Sequence, residues 1–297
     1  MRADATGNAD GTSWTDAYPS LQDALTAPQG SRCDEVFSQI WVAAGTYYPD
    51  EINGTDTDNR NSSFVMKNNL AIYGGFEGSE TQLSQRNMAA NETILSGDID
   101  QDDTFGGNSY TIVRNNQTNL NSTAILDGFT IIAANSDGNN SQSIETQNGG
   151  GVFNLSSSPL FRNCIIKNNT ARFRGGGTLN LDAQPVFINC VWTGNTSLSS
   201  AGAIIGLGNA NQTFINCTIE GNSASGIGGG VFNDQQAQST LINCIIWNNR
   251  AGGQVGTGVA NIANNSSAAS FSATYSLIQG RNPVSYTHLT LPTIYSV

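Results

Sequence analysis

Charge is scarce in this sequence. Of 297 residues only 12 % are charged, about half the usual share. Lys and Arg number 12 against 23 Asp and Glu, and the net charge is −11. No basic stripe exists to displace counterions from phosphate, which argues against a nucleic-acid partner. Polyanionic ligands would need a bridging cation. Long apolar runs are missing too: none approaches the 18 or so residues of a membrane span. Met1 to Trp14 contains no apolar signal-peptide core. Histidine occurs once, at His288. The Ala, Glu, Lys, Leu and Arg that dominate long helices are thin, which excludes an all-α chain. Low charge and recurring apolar runs exclude charge-driven disorder. Five cysteines in so long a chain do not make a small disulfide scaffold.

What replaces the missing residues is 33 Gly with abundant Asn, Ser, Thr and Gln, a composition suited to many short strands and polar turns. Four cysteines, Cys164, Cys190, Cys217 and Cys244, stand 26, 27 and 27 residues apart. Each follows an Asn (Asn163, Asn189, Asn216, Asn243), and five residues beyond each is another (Asn169, Asn195, Asn222, Asn249). Three residues before each cysteine stands Phe161, Phe187, Phe214 or Leu241. Gly-rich openers recur at 149–151, 175–177 and 228–230, with Ala201-Gly-Ala203 between them. A repeat of this length, with β-type runs and no helical stripe, suits one coil of a parallel β-solenoid. A constant step means that equivalent residues stack, adjacent coils lying about 4.8 Å apart. The Phe/Leu and Cys files then face inward. The Asn files sit at bends, bond along the axis and take up αL backbone. Stacked thiols admit two readings, disulfides between coils or small buried hydrophobes; the second is favoured, and a linear file cannot make a tetrahedral metal site.

Upstream the pattern loosens. Leu126–Ile132 reads as a repeat core with Phe129 in the cysteine position, followed by a long inserted loop over 135–148. Earlier strand candidates are 40–43, 70–73, 93–96 and 110–113, and Ser20 caps a short helix carrying Leu21, Ala24 and Leu25 on one face. Such a helix would plug the solenoid's open end. At the other end Val284–Thr293 breaks the pattern and resembles the translation of a transposon-end sequencing adapter. Residues 284–297, His288 included, are therefore set aside, and the natural chain is expected to continue beyond Pro283. The expected organisation is a cap segment over 1–38, a β-helix over 39–283 and an artefactual tail.

Gln39–Tyr47, Ala71–Phe76, Thr93–Ile99, Leu126–Ile131 and the repeated Gly-Gly-Gly…Asn-Cys…Asn together resemble bacterial right-handed parallel β-helix repeat proteins. That group has the pectin-lyase-like fold and borders on the polymorphic outer membrane protein repeats. The resemblance covers roughly Gly11 to Pro283. It implies an all-β, right-handed parallel β-helix, secreted or on the cell surface in association with an outer membrane. The group mixes adhesin-like proteins with carbohydrate-active enzymes, so the implied partners are polysaccharides or host and cell-surface glycans.

Hydrolases on such a fold need paired carboxylates. Within 149–283 the only acids are Asp182, Glu220 and Asp234, out of register with one another, and no catalytic residue is assigned. The favoured expectation is a non-catalytic, adhesin-like or carbohydrate-contacting protein. The alternative is a polysaccharide lyase or glycoside hydrolase with its site on the 50–60, 98–108 or 135–148 loops, or in coils beyond this sequence. Asp98, Asp100 and Asp102 alternate like the opening of a calcium loop, although Asp103 stands where a turn Gly belongs and Ser109 where a closing Glu belongs. Calcium there is one expectation and solvated acids the other. Asp50-Glu51 and Asp56-Thr-Asp58 form a second acidic loop. Trp247 takes the position of Lys167, Thr193 and Glu220 in the other repeats. It is expected to be exposed, where an indole can stack on a sugar face.

Overall fold

Strands of two to six residues, separated by αL residues and glycines, leave the chain one way to bury its alternating apolar positions, which is to wind. A computed structural model describes residues 1–27, 39–52, 56–116, 119–139 and 144–281. One coil shows the plan. Val152–Leu155, Leu160–Arg162, Ile165–Lys167 and Thr170–Ala171 are four strands on four faces. Each pairs in parallel with the strand 26 residues later, Phe161 with Phe187, Ile166 with Trp192, Thr170 with Thr196 and Asn154 with Asn180. Repetition builds two eight-stranded and two six-stranded sheets. The protein is a parallel β-helix.

The core follows from the repeat. Phe161, Phe187 and Phe214 are fully buried and stack with ring centroids 5.1 and 5.3 Å apart. Trp192 replaces the Ile of other coils and meets Phe187 edge-on at 5.0 Å, its indole N–H satisfied by Thr178 Oγ1 at 2.9 Å. Flanking pairs Arg162–Ile188 and Ile165–Val191 set Cys164 over Cys190. The four cysteines of the file are buried free thiols, and burial pushes the Cys190 thiol well up.

The two asparagine files differ in backbone. Asn163, Asn189, Asn216 and Asn243 have φ of 50, 54, 54 and 53°, the αL corner expected. The second file does not adopt αL; the residues just before it do, Asn168, Gly194, Gly221 and Asn248, at 52, 66, 62 and 54°. This corrects the expectation. The αL turn aims the next side chain inward, and Asn169, Asn195, Asn222 and Asn249 become a buried amide ladder. Their Nδ2-to-Oδ1 bonds are 3.1, 2.9 and 3.0 Å long, and Asn261 closes the ladder at 2.8 Å. Asn261 comes from a four-residue helix, Gly258–Asn261, that sequence reasoning missed. Another buried polar file, Asn115, Asn154, Asn180 and Gln212, runs along a different face.

The N-terminal helix is present over Leu21–Thr26, with Ser20 accepting from the Asp23 N–H and Leu21 and Leu25 buried against the first coils. The strand expected at 110–113 starts later, at Val113–Asn116. The Tyr110 N–H is taken by the Arg60 carbonyl and its carbonyl by Ser136, so residues 110–112 serve a loop junction before sheet pairing begins. The set-aside tail, 284–297, lies outside the described residues, as does Cys33.

Candidate functional site

Two regions carry the side chains singled out by sequence. The first is an outer face of the repeat. Lys167, Thr193, Glu220 and Trp247 are paired strand to strand, and Trp247 is 41 % exposed. In a strand whose middle residue Ile246 points into the core, residues 245 and 247 must face outward. Half-buried Ile245 and Leu277, themselves paired, continue the surface beside the indole. The carboxylate of Glu220 projects from the neighbouring strand. This face therefore carries one exposed indole, half-buried aliphatic side chains on the same side of the sheet and a carboxylate on the neighbouring strand. The alignment alone carried this expectation of exposure, because position in a coil fixes which way a side chain points.

The second region is made by loops inserted in the first-half coils, and one residue ties it together. Arg60 donates to the carbonyls of Asn108 at 2.7 Å and Asn135 at 3.1 Å. It also pairs with Asp137 at 2.6 Å and lies 4.2 Å over the Tyr110 ring. Asn135 reaches back to the Phe105 carbonyl at 2.7 Å. The segments around 60, 105–110 and 135–137 therefore meet at one corner. Sequence reasoning did not single out Arg60; its signal is a lone guanidinium closing an otherwise acidic stretch.

Asp98, Asp100 and Asp102 come together, with carboxylate oxygens all within 4.8 Å of one another. They do so on a turn rather than an extended segment: Gln101 and Asp103 take φ of 53 and 59°. Asp98 Oδ2 accepts from the Asp103 N–H at 3.2 Å, while Oδ1 is sealed from solvent without a partner. Burial first, with the Asp100 and Asp102 charges adding to it, pushes the Asp98 carboxyl up, against the pull of N–H groups from Asp103 and Asp102. Asp100 lies so close to Gly107 that a Cβ there would fall 1.9 Å from its Oδ2.

Asp50, Asp56 and Asp58 make a second trio, also within 4.8 Å. Asp50 is only 3 % exposed, and among the described residues neither of its carboxylate oxygens has a hydrogen-bond partner. Burial, then its neighbour Asp56, raises its pKa to about 6. Burial, followed by the charges of Asp98, Glu51, Asp103 and Asp56, raises the Tyr48 phenol, so Tyr48 lies within the field of both trios.

No protein-family model, curated protein or solved structure matches the chain. The architecture and these two regions are what any functional reading draws on.

A separate ionic cluster is centred on buried Asp127. Asp127, 3 % exposed at its side chain, faces Arg86 at 2.9 Å and Arg162 at 3.0 Å and accepts from Asn163 Nδ2 at 2.8 Å. It fastens the outer asparagine file to the first-half coils. Arg86 and Asn163 hydrogen-bond Asp127 Oδ1, whereas the Arg162 Nε pairs by charge alone and is left without a hydrogen bond among the described residues; the opposed charges mark the cluster as structural.

Proposed function

We propose that this chain is a non-catalytic, secreted or cell-surface β-helix of the pectin-lyase-like kind, related to the polymorphic outer membrane protein repeats, and that it contacts carbohydrate. The observation that carries the reading is Trp247. A large indole standing exposed on a flat sheet, beside Ile245 and Leu277 and next to the Glu220 carboxylate, offers what a sugar needs. The ring takes the apolar C–H face and the acid takes a hydroxyl. The rigid sheet holds both without an ordering cost at binding. The glycan would be neutral or cationic, or would require a bridging ion, because the chain carries a net charge of −11.

Loop convergence supports a second reading. A polysaccharide lyase or hydrolase would use the carboxylates of the Asp50 and Asp98 loops near the corner that Arg60 gathers. One experiment separates the two. The protein is screened on a glycan panel with and without calcium, scored for both binding and product, alongside Trp247→Ala. Binding without turnover that falls at least tenfold in Trp247→Ala supports the first reading. Product formation that Trp247→Ala leaves intact overturns it in favour of the second.

A further inference from the structure

A carboxylate buried without a partner is expensive, and a fold keeps one only if something neutralises it. Asp50 is in that position. Its residue is only 3 % exposed, and among the described residues neither of its oxygens has a hydrogen-bond partner. Arg60, at the end of that loop, is turned to Asp137 and to the carbonyls of Asn108 and Asn135. Facing Asp50 instead are more acids, Asp56 and Asp58, whose carboxylate oxygens lie within 4.8 Å of its own. Glu51 and the Tyr48 phenol stand nearby and bring no positive charge, nor does Asp23, which acts on Glu51.

We propose that Asp50, Asp56 and Asp58 bind a hard divalent cation, calcium by its chemistry. Oxygens that share a calcium ion at 2.3–2.6 Å can stand at most about 5 Å apart, and this trio meets that limit. All three ligands are hard anionic oxygens, the set that favours calcium over softer metals. Asp50 supplies the buried, fixed ligand. Asp56 and Asp58 are exposed, so water completes a coordination shell of six to eight. The backbone arranges the approach: Asp56 Oδ1 accepts the Asp58 N–H at 3.2 Å, and Thr57 Oγ1 donates to the Asp50 carbonyl at 3.5 Å. The rival way to quiet Asp50 is a proton shared with Asp56. A proton needs only two carboxylates, whereas the ion recruits Asp58 as well.

The test uses the full chain, stripped with chelator and held at pH 7.5. Calcium is titrated calorimetrically, and terbium is titrated by luminescence sensitised through Tyr48. Four proteins are compared: the parent, Asp50→Asn, the double variant Asp56→Asn/Asp58→Asn, and the triple variant Asp98→Asn/Asp100→Asn/Asp102→Asn. The expected result is binding in the parent and in the triple variant. Affinity falls at least tenfold in Asp50→Asn and in the double variant. Millimolar calcium raises the melting temperature of the parent and the triple variant by several degrees, and that of the double variant by none, because an ion that binds only the folded form stabilises it. The double variant alters exposed side chains only, so it decides the matter if Asp50→Asn does not fold. Failure of the parent to bind, undiminished binding in the double variant, or loss confined to the triple variant each overturns the proposal.

Discussion

Replacing Asn222 with Ala should cost about 3–5 kcal/mol, far more than any change at the outer asparagine corner. Asn222 is fully buried. Its Oδ1 accepts from the Asn195 N–H at 3.0 Å and Asn195 Nδ2 at 2.9 Å. Its Nδ2 donates to Asn249 Oδ1 at 3.0 Å and to the carbonyls of Trp192 at 3.0 Å and Glu220 at 2.9 Å. After truncation, Asn195 Nδ2 keeps the Ile166 carbonyl and Asn249 Oδ1 keeps the Asn222 N–H. The Asn195 N–H keeps nothing. A buried orphan donor costs about 1–3 kcal/mol, and each of the two ladder bonds, to Asn195 Nδ2 and Asn249 Oδ1, about 1 kcal/mol net. Asn216→Gly is the control. It retains the αL corner, φ 54°, and loses one partly exposed bond from Asn243 at 2.8 Å, worth about 1 kcal/mol. Urea unfolding followed by far-UV circular dichroism measures both, with the slope checked for constancy. An Asn222→Ala midpoint within about 1 kcal/mol of the parent, or equal losses in the two variants, would refute the claim that the inner ladder is a major source of stability.

Two further outcomes follow from named contacts. With an Asp50 pKa of about 6 in the folded chain and an ordinary value in the unfolded one, the native state binds the extra proton between about pH 4 and 6. In chelator, folding stability should therefore fall as pH rises through that window. The limit is about 3 kcal/mol at 1.36 kcal/mol per unit, reduced by solvent screening through exposed Asp56 and Asp58. Asp50→Asn should flatten the slope between about pH 4 and 6, and equal slopes in the two proteins would remove the group from the account. Gly176→Ala should destabilise by 3 kcal/mol or more, about the size of an overpacked core: a Cβ there meets the Thr196 carbonyl oxygen at 2.3 Å and that of Gly202 at 2.7 Å. Thermal melting of this variant within a degree of the parent would show that the coils can spread apart locally.

The repeat was legible because stacking allows no drift. A cysteine every 26 or 27 residues fixes the coil, and the coil fixes which neighbours face in, so Phe161 and Trp247 could be placed without coordinates. The αL position was misplaced for the second asparagine file because Asn suits both an αL corner and an inward amide. The signal that separates them is the Asn168, Gly194, Gly221, Asn248 column, since Gly and Asn alternate only where φ is positive. The first half read less well. Its strands are set by contacts such as Arg60 to Tyr110, far apart in sequence. The burial of Asp50 likewise depends on how loops pack, which no local pattern encodes. The helix at Gly258–Asn261 is too short to show a period.

The amide ladders and the backbone bonds between coils run in one direction, along the axis. A pull applied to the two ends of the chain loads the bonds of the outermost coil before those of the next. Such a rod pays out by peeling rather than by shearing as a block. Each release would free 26 or 27 residues, about 90 Å of extended chain, at modest and repeated force. Tethered at one end and attached at the other, a molecule built this way would lengthen stepwise under flow while its remaining coils stayed folded.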